Sequence, residues 1–149
     1  MLKDFLDKAK VKAEELKNSA LQYKNKSFLH ACAAGSVLVA RADGTVSQEE
    51  RQKMMALIKS NDALSVFDQA EVIKVFNEYL GYFDFDVDVG NSKALDALNK
   101  IRTDQAQART VMRLIIAIAN SDGTFDNDER HIARQVAQEL NVDPAEFGV

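Results

Sequence analysis

Apolar residues recur at three- and four-residue spacing along almost the whole chain, which is the signature of helices that turn one face to a core. Leu2, Phe5, Leu6, Ala9, Ala13, Leu16 and Ala20 form one stripe and predict a long amphipathic helix over residues 2–23. A second helix is expected over 27–42, with Ser27 as N-cap and "LHACAAGSVLVA" as a mostly buried middle. Its small residues Ala31, Ala33, Ala34 and Gly35 would let another helix approach closely. A third over 48–60 turns Met54, Leu57 and Ile58 inward, and Asp62 is read as the cap of a short turn. A fourth over 68–83 carries Ala70, Ile73, Phe76, Asn77 and Leu80 on one side. The stretch "FDFDVDVG" at 83–90 alternates like a strand. No second strand exists to pair with it, and a lone strand would leave its backbone groups unsatisfied, so it is read as a connector with aromatics inward and acids in water. Helices over 91–101, 104–120 and 127–140 follow, and Asp143 with Pro144 opens a closing turn. The expectation is an all-α, single-domain bundle over 1–149 with about seven helices.

The chain repeats itself. At an offset of 79 residues "ARADGTVSQEER" (40–51) lies on "ANSDGTFDNDER" (119–130), pairing Asp43 with Asp122, Gly44 with Gly123, Thr45 with Thr124, Glu50 with Glu129 and Arg51 with Arg130. Upstream, Val37 meets Ile116 and Val39 meets Ile118. Each copy reads as a helix, a turn and a second helix, near 28–60 and 107–140, and such pairs pack around a pseudo-two-fold axis. Gly44 and Gly123 are expected at positive φ. Val46 and Phe125 precede the next N-cap, where an apolar residue staples onto the following helix.

The acids of the repeat admit two readings. Ser47 with Glu50, and Asp126 with Glu129, form capping boxes that need no ligand. Asp43 and Asp122 follow the preceding helix, where its dipole disfavours a carboxylate. The pattern also matches the second half of an EF-hand loop, but Val39 or Ile118 would stand at the first ligand position, so neither copy is an EF-hand. If the axis brings the turns together, Asp43, Glu50, Asp122, Asp126 and Glu129 make one oxygen-only site suited to Ca²⁺ or Mg²⁺.

Charge divides the chain in two. Its net charge is −4, but residues 1–26 hold seven lysines against four acids, +3, which leaves −7 for the rest. An acidic body excludes general nucleic-acid binding, whereas the basic head through residues 2–24 fits an anionic membrane surface or an acidic partner. No apolar run approaches the ~20 residues that span a bilayer. "MLKDFLDKAK" reads as no signal peptide, and the expected location is cytoplasmic, with the basic head allowing a peripheral place at the inner membrane. A lone cysteine, Cys32, excludes an internal disulfide. It is also the sole candidate for the competing reading, a redox or detoxification enzyme; a small buried hydrophobe is the blander account.

The Asp-Gly hairpins, "KNKSF" (24–28), "VFDQAEVIKVFN" (66–77), "FDFD" (83–86), "SDGTFDNDE" (121–129) and "DPAEFG" (143–148) resemble the TerB family of bacterial tellurite-resistance proteins over essentially the whole chain. The resemblance implies a cytoplasmic, helical, non-enzymatic scaffold associated with resistance to tellurite and other stresses. It also implies an integral membrane partner of the TerC type, calcium-binding TerD-type partners, and a metal-binding role for the acids at Asp43, Glu50, Asp122, Asp126 and Glu129. Position 47 is Ser where the second copy has Asp126, which makes the first half-site poorer in charge.

Overall fold

A computed structural model describes residues 2–120 and 125–149, so Asp122, Gly123 and Thr124 of the second turn lie outside the described residues. Seven α-helices and two short 3-10 turns make up the described secondary structure, with no strand among them. They are α1 (Leu2–Gln22), α2 (Lys26–Ala40), α3 (Gln48–Ser60), α4 (Gln69–Phe85), α5 (Val87–Asn99), α6 (Gln105–Ala119) and α7 (Asn127–Glu139), with 3-10 turns at Leu64–Val66 and Pro144–Phe147.

Helix α2 is the centre. Ten of its fifteen residues are buried, from Phe28 to Val39, and it touches α4, α5, α6 and α7. A helix apolar on every side has no solvent face to offer and must be surrounded. Close approach requires small residues. A Cβ at Gly35 would lie 2.2 Å from Cδ1 of Ile115 on α6 and 3.5 Å from Val136 on α7. The N-cap of α2 is Asn25, not Ser27: its Oδ1 accepts the Phe28 amide at 2.8 Å. Asparagine caps as well as serine, and this start places the fully buried Phe28 in the first turn.

The expected connector at 83–90 is corrected. Helix α4 runs through Phe85, α5 begins at Val87, and Asp86 alone joins them. Asp86 closes α4 with its amide, which donates to the Tyr82 carbonyl at 3.0 Å, and opens α5 with its carboxylate, which accepts the Val89 amide at 3.1 Å. Phe83 is buried, but Phe85 points out and is 83% exposed, so only one of the two aromatics packs inward. Gly90 is what lets α5 close on α4, because a Cβ there would stand 2.4 Å from the Phe83 ring. The inward face of α4 is also rotated from expectation. Val72, Val75, Phe76, Tyr79, Leu80 and Phe83 are buried, while Ala70 and Asn77 are exposed. Tyr79 belongs to the core because its hydroxyl meets His30 Nδ1 at 2.8 Å. The cap of the first 3-10 turn is the side chain of Asn61, accepting the Leu64 amide at 3.1 Å; Asp62 contributes only its carbonyl.

The ends of α7 follow the local rules closely. Asn141, at φ 59°, takes the left-handed position after the helix. Its amide donates to Gln138 and that of Val142 to Ala137, both at 3.0 Å, the Schellman pattern, with Val142 buried beside it. Asp143 caps the closing turn through the Ala145 amide, with Pro144 at the first position, as expected.

Replacing Gly90 with Ala should destabilise the protein by about 1–3 kcal/mol, the usual cost of overpacking, despite alanine's better helix propensity. Urea unfolding with far-UV circular dichroism measures this, and a stability equal to wild type would show that Phe83 does not pin the corner.

Candidate functional site

Both capping boxes form. The Ser47 hydroxyl accepts the Glu50 amide at 3.1 Å, and Glu50 accepts the Ser47 amide at 3.2 Å. Asp126 accepts the Glu129 amide at 2.8 Å, and Glu129 accepts the Asp126 amide at 3.4 Å. Val46 and Phe125 are half-buried against the core in front of them. The residue that would complete each staple is an arginine. Arg130 places its guanidinium 5.3 Å from the Phe125 ring and also donates to the Gly148 carbonyl at 2.7 Å. Arg51 donates to the Val46 carbonyl at 3.3 Å and grips Asp84 with two contacts, at 3.0 and 2.5 Å. Asp84 is therefore held in an ion pair and Asp86 in a cap.

Gly44 has φ 108°, as its turn demands. Asp43 is exposed, and its Oδ1 accepts the Thr45 amide at 3.4 Å, a long bond that closes an Asx turn. That gives the carboxylate a modest local reason to be there, which the dipole consideration alone did not supply.

The two copies meet at a cavity of about 290 Å³. Asp43, Glu50, Asp126 and Glu129 all line it, so four of the five expected site residues come to one place; Asp122 lies outside the described residues. The floor is built from equivalent positions of the repeat: Val39 with Ile118, Ala40 with Ala119, and on the rim Glu50 with Glu129. α3 lies against α6, and α7 against α2, so the second helix of each copy packs on the first helix of the other. The symmetry is imperfect. Asp126 reaches the cavity while Ser47 does not line it, and Lys53 brings an ammonium where the second copy has Ile132.

Ser36 is the residue that sequence reading missed. It lines the cavity, is 4% exposed, and its Oγ has no hydrogen-bond partner among the described residues. An unpaired buried hydroxyl is costly, which makes it a signal. The sequence did carry a hint: Ser36 interrupts an apolar run where the second copy has Ile115. The donors around the cavity are oxygens, the right chemistry for a hard cation. They ring the opening, however; among the described residues no three acids, histidines or cysteines converge closely enough to hold an ion directly.

The competing nucleophile is buried. Cys32 is 0% exposed within α2, and burial pushes its thiol pKa well up, away from the reactive thiolate. His30, two residues away, is engaged with Tyr79.

The family profile described as "Tellurite resistance protein TerB" matches residues 29–149. This chain belongs to the TerB family. A relative from Alcaligenes sp, named tellurium resistance protein TerB, is 36% identical over 101 residues, covering 68% of this chain and 83% of the relative. No solved structure matches. The TerB match takes in α3 to α7 and the whole cavity, and α2 from Leu29; α1 lies ahead of it. Among the described residues no helix is long and apolar enough to cross a membrane.

Cys32 of the folded protein should resist alkylation by iodoacetamide at pH 8 and react fully once urea unfolds the chain. Mass spectrometry of the time course measures this; rapid modification of the native state would reopen the thiol-enzyme reading.

Proposed function

We propose that this TerB protein acts in tellurite and stress resistance as a non-enzymatic scaffold at the cytoplasmic face of the membrane, and that it binds a divalent cation in the cavity between its two repeats. The observation that carries the cation reading is the convergence of Asp43, Glu50, Asp126 and Glu129 on one hollow assembled from equivalent positions of both copies. The Ser36 hydroxyl, without a partner among the described residues, adds a neutral oxygen at the same hollow. The name of the Alcaligenes relative supports the resistance role.

The spread of the carboxylates favours an ion that keeps part of its water shell, with the acids accepting hydrogen bonds from those waters. Mg²⁺ holds its waters tightly, and Ca²⁺ tolerates irregular oxygen shells. Four carboxylates against the single ammonium of Lys53 leave the rim negative. Asp122 belongs to the proposed ligand set by its place in the repeat. Partners of the membrane TerC type and of the TerD type fit the scaffold reading, the acidic body offering them a charged surface.

Capping and cation binding can be separated by amide substitutions. Asp126→Asn keeps a good N-cap, and Glu50→Gln and Glu129→Gln keep the capping box, while each removes a charge. These variants should unfold within about 0.5 kcal/mol of wild type yet lose most Ca²⁺ or Mg²⁺ binding in calorimetric titration. Wild type that gives no heat at millimolar cation, or amide variants that bind as wild type does, would end the cation reading. Asp126→Ala, in contrast, should cost about 1 kcal/mol of stability by uncapping α7.

A further inference from the structure

Helix α1 is divided along its length. Residues 16–23 seat it on the body: Leu16 is half-buried, Ala20 is fully buried, and Tyr23 stacks on Phe28 at 6.3 Å. α1 packs there against α6 and the Leu64–Val66 turn. Residues 2–15 are exposed throughout, including Leu2 at 73%, Phe5 at 69% and Leu6 at 51%. The expected stripe therefore has two halves. Leu16 and Ala20 use it on the protein, while Leu2, Phe5, Leu6 and Ala9 are left exposed by the described residues.

The arrangement of charge says what would cover it. At 3.6 residues per turn, the stripe from Leu2 to Ala20 lies within about 50° of one line along the helix. Lys3, Lys8, Lys10, Lys12 and Lys17 flank it on both sides, roughly 70–110° away. Asp4, Asp7, Glu14 and Glu15 lie on the opposite face, roughly 130–150° away. Lysines at the edges of an apolar stripe can bury their stems while their ammonium groups reach anionic headgroups. Acids on the far side of a helix ~10 Å across stand about one Debye length further out at physiological salt, so their repulsion is largely screened. A protein groove would require no such separation of signs.

We propose that the N-terminal end of α1, residues 2–10, dips at a tilt into an anionic lipid surface with its apolar stripe, while the body, which sits on the same face of the helix at Leu16 and Ala20, stays outside the lipid. This rests on the membrane-face placement proposed above and does not involve the cavity. Val11, on the polar face, takes no part in the contact. With three large apolar side chains in the stripe of the free half, binding is reversible and salt-sensitive.

Flotation of the full chain with phosphatidylcholine vesicles, with and without phosphatidylserine, tests this. Wild type should float only with the anionic vesicles and lose that binding in high salt. Phe5→Gln with Leu6→Gln should weaken partitioning by at least roughly tenfold, and Lys8→Gln with Lys10→Gln should weaken it on anionic vesicles alone. All four positions are exposed, so urea midpoints should remain unchanged and exclude misfolding as the cause. Wild type that stays at the bottom with anionic vesicles, or that floats equally with neutral ones, overturns the proposal. So does a Phe5→Gln, Leu6→Gln variant that floats like wild type. A concentration-dependent dimer in sedimentation velocity, abolished by the same double substitution, would show that the stripe is covered by a second copy instead. Cation titration in the absence of lipid reads the cavity separately, and co-purification with the membrane partner reads the scaffold, so failure of one leaves the others standing.

Discussion

Helix α2 governs the architecture because it has no side that water could wet. Once Phe28, Leu29, Val37 and Val39 are paired with a spine of Ala31, Cys32, Ala33, Ala34 and Gly35, the helix must be enclosed, and the enclosure must be tight. The small residues set how near α6 and α7 can come, and Gly35 marks the point where no side-chain atom remains to spare. Both repeats then fall into register around it. α6 pairs with α2, α7 crosses to α2, and α3 crosses to α6. The burial of Cys32 is a by-product of this crowding, which shuts the chain's single thiol away from solvent.

The cavity follows from the same crossing. Helices α3 and α7 each lean on the partner copy's first helix and do not touch one another. The space between their N-terminal ends is left open, and their capping acids border it. An N-terminal end of a helix favours negative charge, so duplicated capping boxes bring carboxylates together with little helix-dipole penalty. Glu50 and Glu129 hold their helices in place through the capping bonds and also line the shared hollow. The divergence of the copies lies in what surrounds them. Ser36 and Lys53 have no polar counterparts in the second half, and Asp126 has only Ser47 in the first.

Much of this was legible in the sequence because it is local. The capping boxes, the positive φ of Gly44, the Asp143–Pro144 turn and the bounds of α1 and α3 each depend on a few neighbouring residues, and they appear where the residues call for them. The repeat made it foreseeable that Asp43 and Glu50 would share one hollow with Asp126 and Glu129. What was not legible depends on distant partners. The face of α4 is decided by His30, which makes Tyr79 an interior residue. The stretch 83–90 alternates because Phe83 packs on Gly90 and Asp84 answers the distant Arg51 while Asp86 caps α5 locally, and together these imitate a strand pattern. Ser36 was hidden for the opposite reason: its importance lies in a hydrogen bond that no neighbour among the described residues makes.

Asp86 is also a mechanical part. Most helical bundles join neighbouring helices by loops of several residues, and those loops take up insertions, strain and motion. Here one residue terminates α4 and initiates α5, with its amide committed to one helix and its carboxylate to the other. Such a corner has no slack. A single inserted residue would uncouple two helix ends at once and lift Phe83 off Gly90. The turn at residues 41–47 is longer, and it borders the acid-lined cavity.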